Sequence, residues 1–383
     1  MPKFPTVLLA AACSVVMLAC PAIAQYSVET RVEGLEYPWS VAFLPDGRML
    51  VTEKPGRLRI VGPDGLEAEP VAGVPEVLHS GQGGLLDVAL HPDFGTNRLV
   101  YLTWTAGTPR DNTLHLGRGR LEAGALEDFQ ILFSAEPRRS TDVHYGGRIA
   151  FLPEDTAAAG TAMAGFMPAT IVLGIGDGFD FREQAQRPQT HFGSFVRLNL
   201  DGQPMPAAFP GSAPGVFTIG HRNPQAVVFD AETGTLYAHE HGPQGGDEIN
   251  VLEAGGNYGW PIASYGIDYT GALVTPFQTY PGMTDPIRHW VPSIAPAGMA
   301  IYRGDMFPEW QGDLFVAALI PGDADVPSGH VRRVDLEDGE VVGEEVLFGD
   351  LDARIRDVRT GPDGALWLLT DEAEGRLVRV GRE

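Results

Sequence analysis

Residues 39–61 read WSVAFLPDGRMLVTEKPGRLRIV. Two apolar runs flank Pro45-Asp46-Gly47, and a third follows Lys54-Pro55-Gly56. Each run is short and rich in strand-forming residues, while Asp-Gly and Pro-Gly pairs turn the chain. The stretch therefore predicts three antiparallel strands joined by tight turns. The same unit recurs in five other places. Residues 85–121 open LLDVALHPDF and continue LVYLTW and HLGRGRL; residues 147–200 give GRIAFLPED, TIVLGIGDG and SFVRLNL. Residues 224–252 give PQAVVFDAETGTLYAHEHG and EINVL. Residues 297–336 give AGMAIYRGDMFPEWQGDLFVAAL and HVRRVDL, and residues 355–380 give IRDVRTGPDGALWLLTDEAEGRLVRV. A unit of three or four antiparallel strands cannot bury both of its faces alone, so six copies must stack around an axis. The expected fold is all-β, a six-bladed β-propeller of four-stranded antiparallel blades. Residues 25–383 are expected to form a single catalytic propeller, with the segment 26–32 pairing into the last blade to close the ring. Uneven spacing places long insertions in the middle copies. Two β-sandwiches with accidental internal similarity are the competing architecture.

Residues 1–24 read as an export signal. Lys3 precedes an apolar stretch at 7–19, and Ala22-Ile23-Ala24 precedes Gln25 as a small-residue cleavage site. The stretch is shorter than the roughly 20 residues a bilayer requires. The expected location is periplasmic or secreted, with no membrane insertion after cleavage. Cys13 and Cys20 both lie in this segment, so the remaining chain is expected to hold no disulfide, thiolate nucleophile or cysteine metal site. Lys54 is then the one lysine left. The formal charge of −23 becomes one unit more negative without Lys3, which argues against nucleic acid as a partner.

Phosphate-cradling Walker loops, serine-hydrolase elbows and His-Glu-x-x-His zinc motifs are missing from the sequence. Polar clusters beside glycines stand out instead, at the starts of strands. Gly81-Gln82-Gly83-Gly84 offers an amide where backbone can approach a ligand, and equally reads as an ordinary turn. His144-Tyr145-Gly146-Gly147-Arg148 offers a histidine suited to base chemistry near neutral pH, or a structural histidine. Gly220-His221-Arg222-Asn223-Pro224 offers a guanidinium fork for an oxyanion or carboxylate, or a surface salt bridge. Residues 239–248, HEHGPQGGDE, combine acids with Gly-Pro turns that expose carbonyls, a donor set for a hard cation such as calcium. His239 and His241 share a strand face, but no third nitrogen or sulfur ligand accompanies them, which favours packing over a transition metal. Arg354 and Arg356 also share a face; an anion between them, or neutralisation by Asp352 and Asp357, would relieve their repulsion. Together the clusters describe an anionic, polycarboxylate cofactor with a divalent cation and a histidine base.

Six motifs run in order through residues 35–380: GQGGLLDVALHPDF, HYGGRI, GHRNPQAVVFD, EHGPQGGDEINVLEAGGNYGWP, PSIAPAGMAIYRGDMFPEWQGDLFVAAL and RIRDVRTGPDG. In them the chain resembles the soluble PQQ-dependent aldose sugar dehydrogenases of the glucose/sorbosone dehydrogenase family. The resemblance implies oxidation of aldose sugars at the anomeric carbon to lactones, with pyrroloquinoline quinone (PQQ) lying on the ring. It implies that His144 takes the proton of the anomeric hydroxyl while hydride passes to C5 of PQQ. Asp177 would orient His144, and Arg222 would stabilise charge at the quinone oxygens. Gln82, His144, Arg222, Asn223 and Tyr269 would contact the cofactor, and Arg354 and Arg356 would pair with its carboxylates. Carbonyls of Gly242 and Pro243 would hold a Ca2+ acting as Lewis acid, and Glu248 and Tyr258 would ligate a second, structural calcium. Electrons would pass to an external acceptor such as a cytochrome or a quinone. The chain departs from the glucose-specific relatives in two places. Their cofactor-contacting lysine falls in the stretch corresponding to 315–319, which here is FVAAL, and a glutamine after their Gly-Asp motif is replaced by Arg182, Gln184 or Gln186. Two other classes remain: a calcium-dependent propeller hydrolase of lactonase type, and a non-catalytic binding propeller.

Overall fold

The computed structural model describes residues 26–153 and 170–382. The expected signal at 1–24 lies outside them. Six four-stranded antiparallel sheets are present, one for each sequence copy. The innermost strands are Pro38–Phe43, Leu85–Leu90, Gly146–Leu152, Pro224–Asp230, Pro296–Ile301 and Ile355–Thr360, numbered here as blades one to six. Each inner strand neighbours the inner strand of the next blade, and the sixth neighbours the first, so the sheets close into a propeller. Tyr26–Leu35 forms the outer strand of blade six, pairing antiparallel with Gly375–Arg382 in the register Val28↔Val380. The chain's two ends are thus joined in one sheet, and no blade is left with an open face.

The apolar core lies between blades rather than within them. Leu50 of the strand Met49–Glu53 packs with Leu102 and Trp104 of blade two, while its neighbours Met49 and Val51 pack with Trp367 and Leu369 of blade six. That alternation is the two-residue period of a strand buried on both faces. Six such clusters fill the six interfaces. Each fully buried Leu, Val or Phe contributes about 1.5–3 kcal/mol, so a lone blade would forfeit most of its stabilisation.

Two features of the topology position the functional face. All six inner strands start at the same end of the ring, and the second strand of each blade returns there. Residues just before first strands and just after second strands therefore converge. Each inner strand also carries a register shift near its start, as between Gly146 and Ile149 or Ile355 and Asp357. Such bulges re-aim side chains at the mouth of the ring. Of the long insertions expected in the middle copies, one is the segment 252–287, between the third and fourth strands of blade four; residues 154–169 of the third copy lie outside the described residues.

Candidate active site

His144 sits immediately before the inner strand of blade three, with φ of 52°, a left-handed conformation that costs a non-glycine residue energy. Hydrogen bonds on both sides hold it there. Its N–H donates to Gln82 Oε1 at 2.8 Å, and its carbonyl accepts from Arg139 NH1 at 2.7 Å. Gly176, after the second strand of the same blade, packs so closely that any Cβ would collide with the His144 carbonyl. The ring is aligned by Asp177: Nδ1 lies 2.7 Å from Oδ1. Asp177 is itself fully buried, accepting from the Phe179 N–H at 2.7 Å and from Trp260 Nε1 at 2.7 Å. A carboxylate at Nδ1 assigns the proton to that nitrogen and leaves the lone pair on Nε2. Burial pushes the His144 pKa below its usual value of 6.5, opposed by the Asp177 bond. Burial alone would raise Asp177, but the His144 bond, with Arg222 and the Phe179 N–H, holds it below the usual carboxylate value. The ring is thus neutral at neutral pH and able to accept a proton at Nε2.

Arg222 and Asn223 precede the inner strand of blade four. The Arg222 guanidinium stacks 5.3 Å from the Trp260 ring and 5.8 Å from that of Tyr269, donating to the His241 carbonyl at 3.1 Å, to the Gly242 carbonyl, and to the Tyr269 hydroxyl at 3.3 Å. Asn223 Nδ2 lies 3.4 Å from both Gln82 Oε1 and His241 Nδ1. Gln82, His144, Asp177, Arg222, Asn223 and Tyr269 therefore form one connected cluster. Of the residues considered for the shifted glutamine, Arg182 lies at its edge, paired with Asp268 at 3.3 Å, whereas Gln186 is committed to Asn257 and the Trp260 carbonyl. His241 Nε2 is held by the Pro296 carbonyl at 2.8 Å, and His239 has no side-chain partner among the described residues, burial pushing its pKa down to about 3. Among the described residues no group of three or more His, Cys, Asp and Glu side chains is placed to hold a metal ion.

Two hollows meet at His241 and Ala295. The first, about 570 Å³, runs along Gly242, Pro243, Tyr265, Tyr269, Val291 and Ile320 and is mainly apolar. The second, about 310 Å³, is lined by Gln82, Trp39, Lys54, Arg354, Arg356 and Asp371. Arg354 and Arg356 converge here as their spacing suggested. Their counter-ion is Asp371, however, not Asp352 or Asp357. Asp371 Oδ2 accepts from Arg354 NH2 at 3.2 Å and Arg356 NH2 at 2.7 Å. Burial opposes ionisation of Asp371, but the Arg356 charge and bond bring its pKa down to about 2. Asp352 is exposed, and Asp357 turns to the ring axis, where it pairs with Arg148 and Arg359. The Nε of buried Arg356 has no acceptor among the described residues. Asp371 and Lys54 escaped the motif reading, yet both obey a positional rule: each directly follows the second strand of its blade.

The loop after Glu240 is folded tightly on itself. A Cβ on Gly242 would meet the Gly245 and Gly246 carbonyls, and the Gly242 N–H is fixed by Asp247 Oδ1 at 2.9 Å. Glu248 lies across the sheet from Glu240. Burial, then the Glu240 charge, pushes Glu248 well above the ordinary carboxylate range, a repulsion that a cation would relieve. The Tyr258 hydroxyl is committed to the Val251 carbonyl at 2.7 Å and the Glu253 N–H at 2.9 Å, leaving its backbone carbonyl as the donor it can offer.

Comparison with known proteins adds to this geometry. The family model described as Glucose / Sorbosone dehydrogenase matches residues 35–379. The chain belongs to that family. It is 38% identical over 369 residues to the aldose sugar dehydrogenase YliI of Escherichia coli (strain K12), covering 93% of each chain. It is 27% identical to quinoprotein glucose dehydrogenase B of Acinetobacter calcoaceticus, covering 89% of this chain and 84% of that one. Among solved structures, the soluble aldose sugar dehydrogenase of Escherichia coli in its apo form superposes with a TM-score of 0.83 at 36% identity, over 94% of this chain and 100% of the other. The PQQ-bound aldose sugar dehydrogenase of Streptomyces coelicolor superposes with a TM-score of 0.72 at 27% identity, over 94% and 99%.

Proposed function

We propose that this member of the family is a PQQ- and calcium-dependent aldose sugar dehydrogenase that converts aldoses to lactones. The observation that carries the reading is the buried His144–Asp177 pair, with its free Nε2, placed beside a hollow whose arginines outnumber its carboxylates. Relatives named for aldose or glucose oxidation, one of them PQQ-bound, support it.

The donor chemistry suits both groups. Arg354 and Arg356 would hold the carboxylates of PQQ, with Gln82 and Asn223 giving neutral contacts and Tyr269 a wall. Pro243, and Gly242 once its carbonyl is released by the Arg222 guanidinium, would offer carbonyls to calcium, and Glu248 with Tyr258 a second calcium site. When bound, PQQ would supply the quinone that takes up the sugar's two electrons as a hydride. His144 accepts the anomeric hydroxyl proton at Nε2. Asp177, gripped by Trp260 and the Phe179 N–H, keeps the ring in the required tautomer and stabilises the imidazolium that forms. Arg222, stacked on Trp260 and Tyr269, stabilises developing negative charge nearby. Electrons then leave to an external acceptor, a cytochrome or a quinone. Residues 1–24 direct export to the periplasm or beyond.

The test is reconstitution. Apo-protein made in a host lacking PQQ is given PQQ with and without calcium, and dye reduction is followed with a panel of aldoses. Activity requiring both additions is the expected result. No activity and no change in the PQQ absorbance spectrum would overturn the proposal.

A further inference from the structure

Lys54 enters the hollow of Arg354 and Arg356 from blade one. It directly follows the strand Met49–Glu53, and its backbone is fixed at a crowded junction. Its N–H donates to the Tyr37 carbonyl at 3.1 Å and its carbonyl accepts the Leu85 N–H at 3.0 Å. Gly84 lies so close to that carbonyl that a Cβ would collide with it. The side chain is half-buried, and its Nζ has one hydrogen bond, to the neutral carbonyl of Gly81 at 3.3 Å.

The charge balance of the hollow is uneven. Three cations, Lys54, Arg354 and Arg356, line it with one carboxylate, Asp371. Both arginines use the same oxygen of that carboxylate, and among the described residues Lys54 has no ion pair. Burial and the Arg356 and Arg354 charges push the Lys54 ammonium below its usual pKa, with Asp371 pulling the other way. Half-buried cations in such an arrangement repel one another unless an anion joins them.

We propose that Lys54 is a third cofactor-binding cation, its ammonium joining Arg354 and Arg356 in gripping the carboxylates of a planar polycarboxylate. This rests on the PQQ reading above. A compact ammonium on a flexible stem complements two planar guanidiniums, because it can meet a carboxylate from a direction the forks do not cover. Lys54 is a binding and positioning residue, and no proton transfer is assigned to it.

The experiment measures PQQ binding to calcium-loaded apo-protein by quenching of tryptophan fluorescence at low and high salt. It compares the unmodified protein, Lys54→Met and Lys54→Arg, with thermal melts verifying that each is folded. Loss of one charge-assisted contact should weaken binding about tenfold to a hundredfold in Lys54→Met. The loss should shrink at high salt, and Lys54→Arg should stay within about threefold of the unmodified protein. A second readout uses the scarcity of lysine. Lys3 and Lys54 are the only two, so amine acylation with peptide mapping reports on Lys54 directly, and PQQ should slow its labelling. Equal affinity of Lys54→Met and the unmodified protein would overturn the assignment while leaving the cofactor reading intact. Weaker binding with labelling unslowed by PQQ would also overturn it, since the lysine would then act without contact. Failure of the unmodified protein to bind PQQ would remove both.

Discussion

Two charged clusters are built from one short stretch, residues 354–359, RIRDVR. Arg354 and Arg356 rise into the hollow, where both pair with the single carboxylate of Asp371 beside Lys54, which among the described residues has no ion pair. Asp357 and Arg359 turn to the ring axis, where the charges balance. There Arg148 lies 2.9 Å from Asp357 and 3.2 Å from Asp87, stacked 3.9 Å over the Trp39 ring, and Arg359 reaches the same two carboxylates. The axial cluster ties blades one, two, three and six together and offers no charge to a ligand. The cluster in the hollow has an excess of cations. Similar residues, a few positions apart, are thus structural where charges are matched and ligand-directed where they are not.

The division can be broken from several sides. The largest effect is expected in catalysis, at the histidine beside the unbalanced hollow. His144→Ala should lower dye-linked turnover about 10⁴-fold, about 5.5 kcal/mol of barrier, with PQQ affinity nearly unchanged. Near-normal turnover would remove His144 from the reaction. At the axis, Arg148→Met should cost about 3–5 kcal/mol of folding stability in urea, because it leaves two buried carboxylates short of a partner. A stable variant with impaired PQQ binding would show that the axial cluster is not purely structural. In the hollow, the Arg354→Ala, Arg356→Ala double variant should do the reverse, weakening PQQ binding about 10²-fold while changing stability by less than about 2 kcal/mol. Unchanged affinity would reject the pair as carboxylate ligands.

The smallest effect concerns pH. Burial lowers the His144 pKa, so the protein should keep its neutral base at pH values where an exposed histidine is already protonated. The acid limb of kcat/KM should therefore fall below pH 6.5, with a plateau above. Asp177→Asn removes the carboxylate charge that pulls this pKa upward, so the residual activity should show its acid limb displaced further to low pH. A limb above 6.5 in the unmodified protein would contradict the neutral, buried ring.

Much of the architecture was legible in local pattern. Each of the six sequence copies became one blade, and the segment at 26–32 closed the ring, because strand period and turn chemistry act over a few residues. The residues before the inner strands were legible as well, since their glycines mark them. Other features were not. The FVAAL stretch contains no lysine, yet Leu319 at its end lines the hollow that Lys54 enters from blade one. Neutralisation by Asp352 and Asp357, one of the two alternatives, rests on sequence proximity and misses Asp371, which directly follows the adjacent strand. The indole of Trp260 meeting Asp177 was equally hidden, because the insertion in blade four reaches across to blade three.

The sequence by itself determined the number of blades, the apolar alternation that packs them and the identity of the chemical groups, since these depend on periods of two residues and on turns. Only the tertiary structure decided which charges meet. Closing the ring sets blade one against blade six, and the bulge after Ile355 breaks the strand's alternation, so that Ile355 and Val358 share one interface despite their spacing. Which arginines meet Asp371 and which meet Asp357 follows from that closure and that bulge.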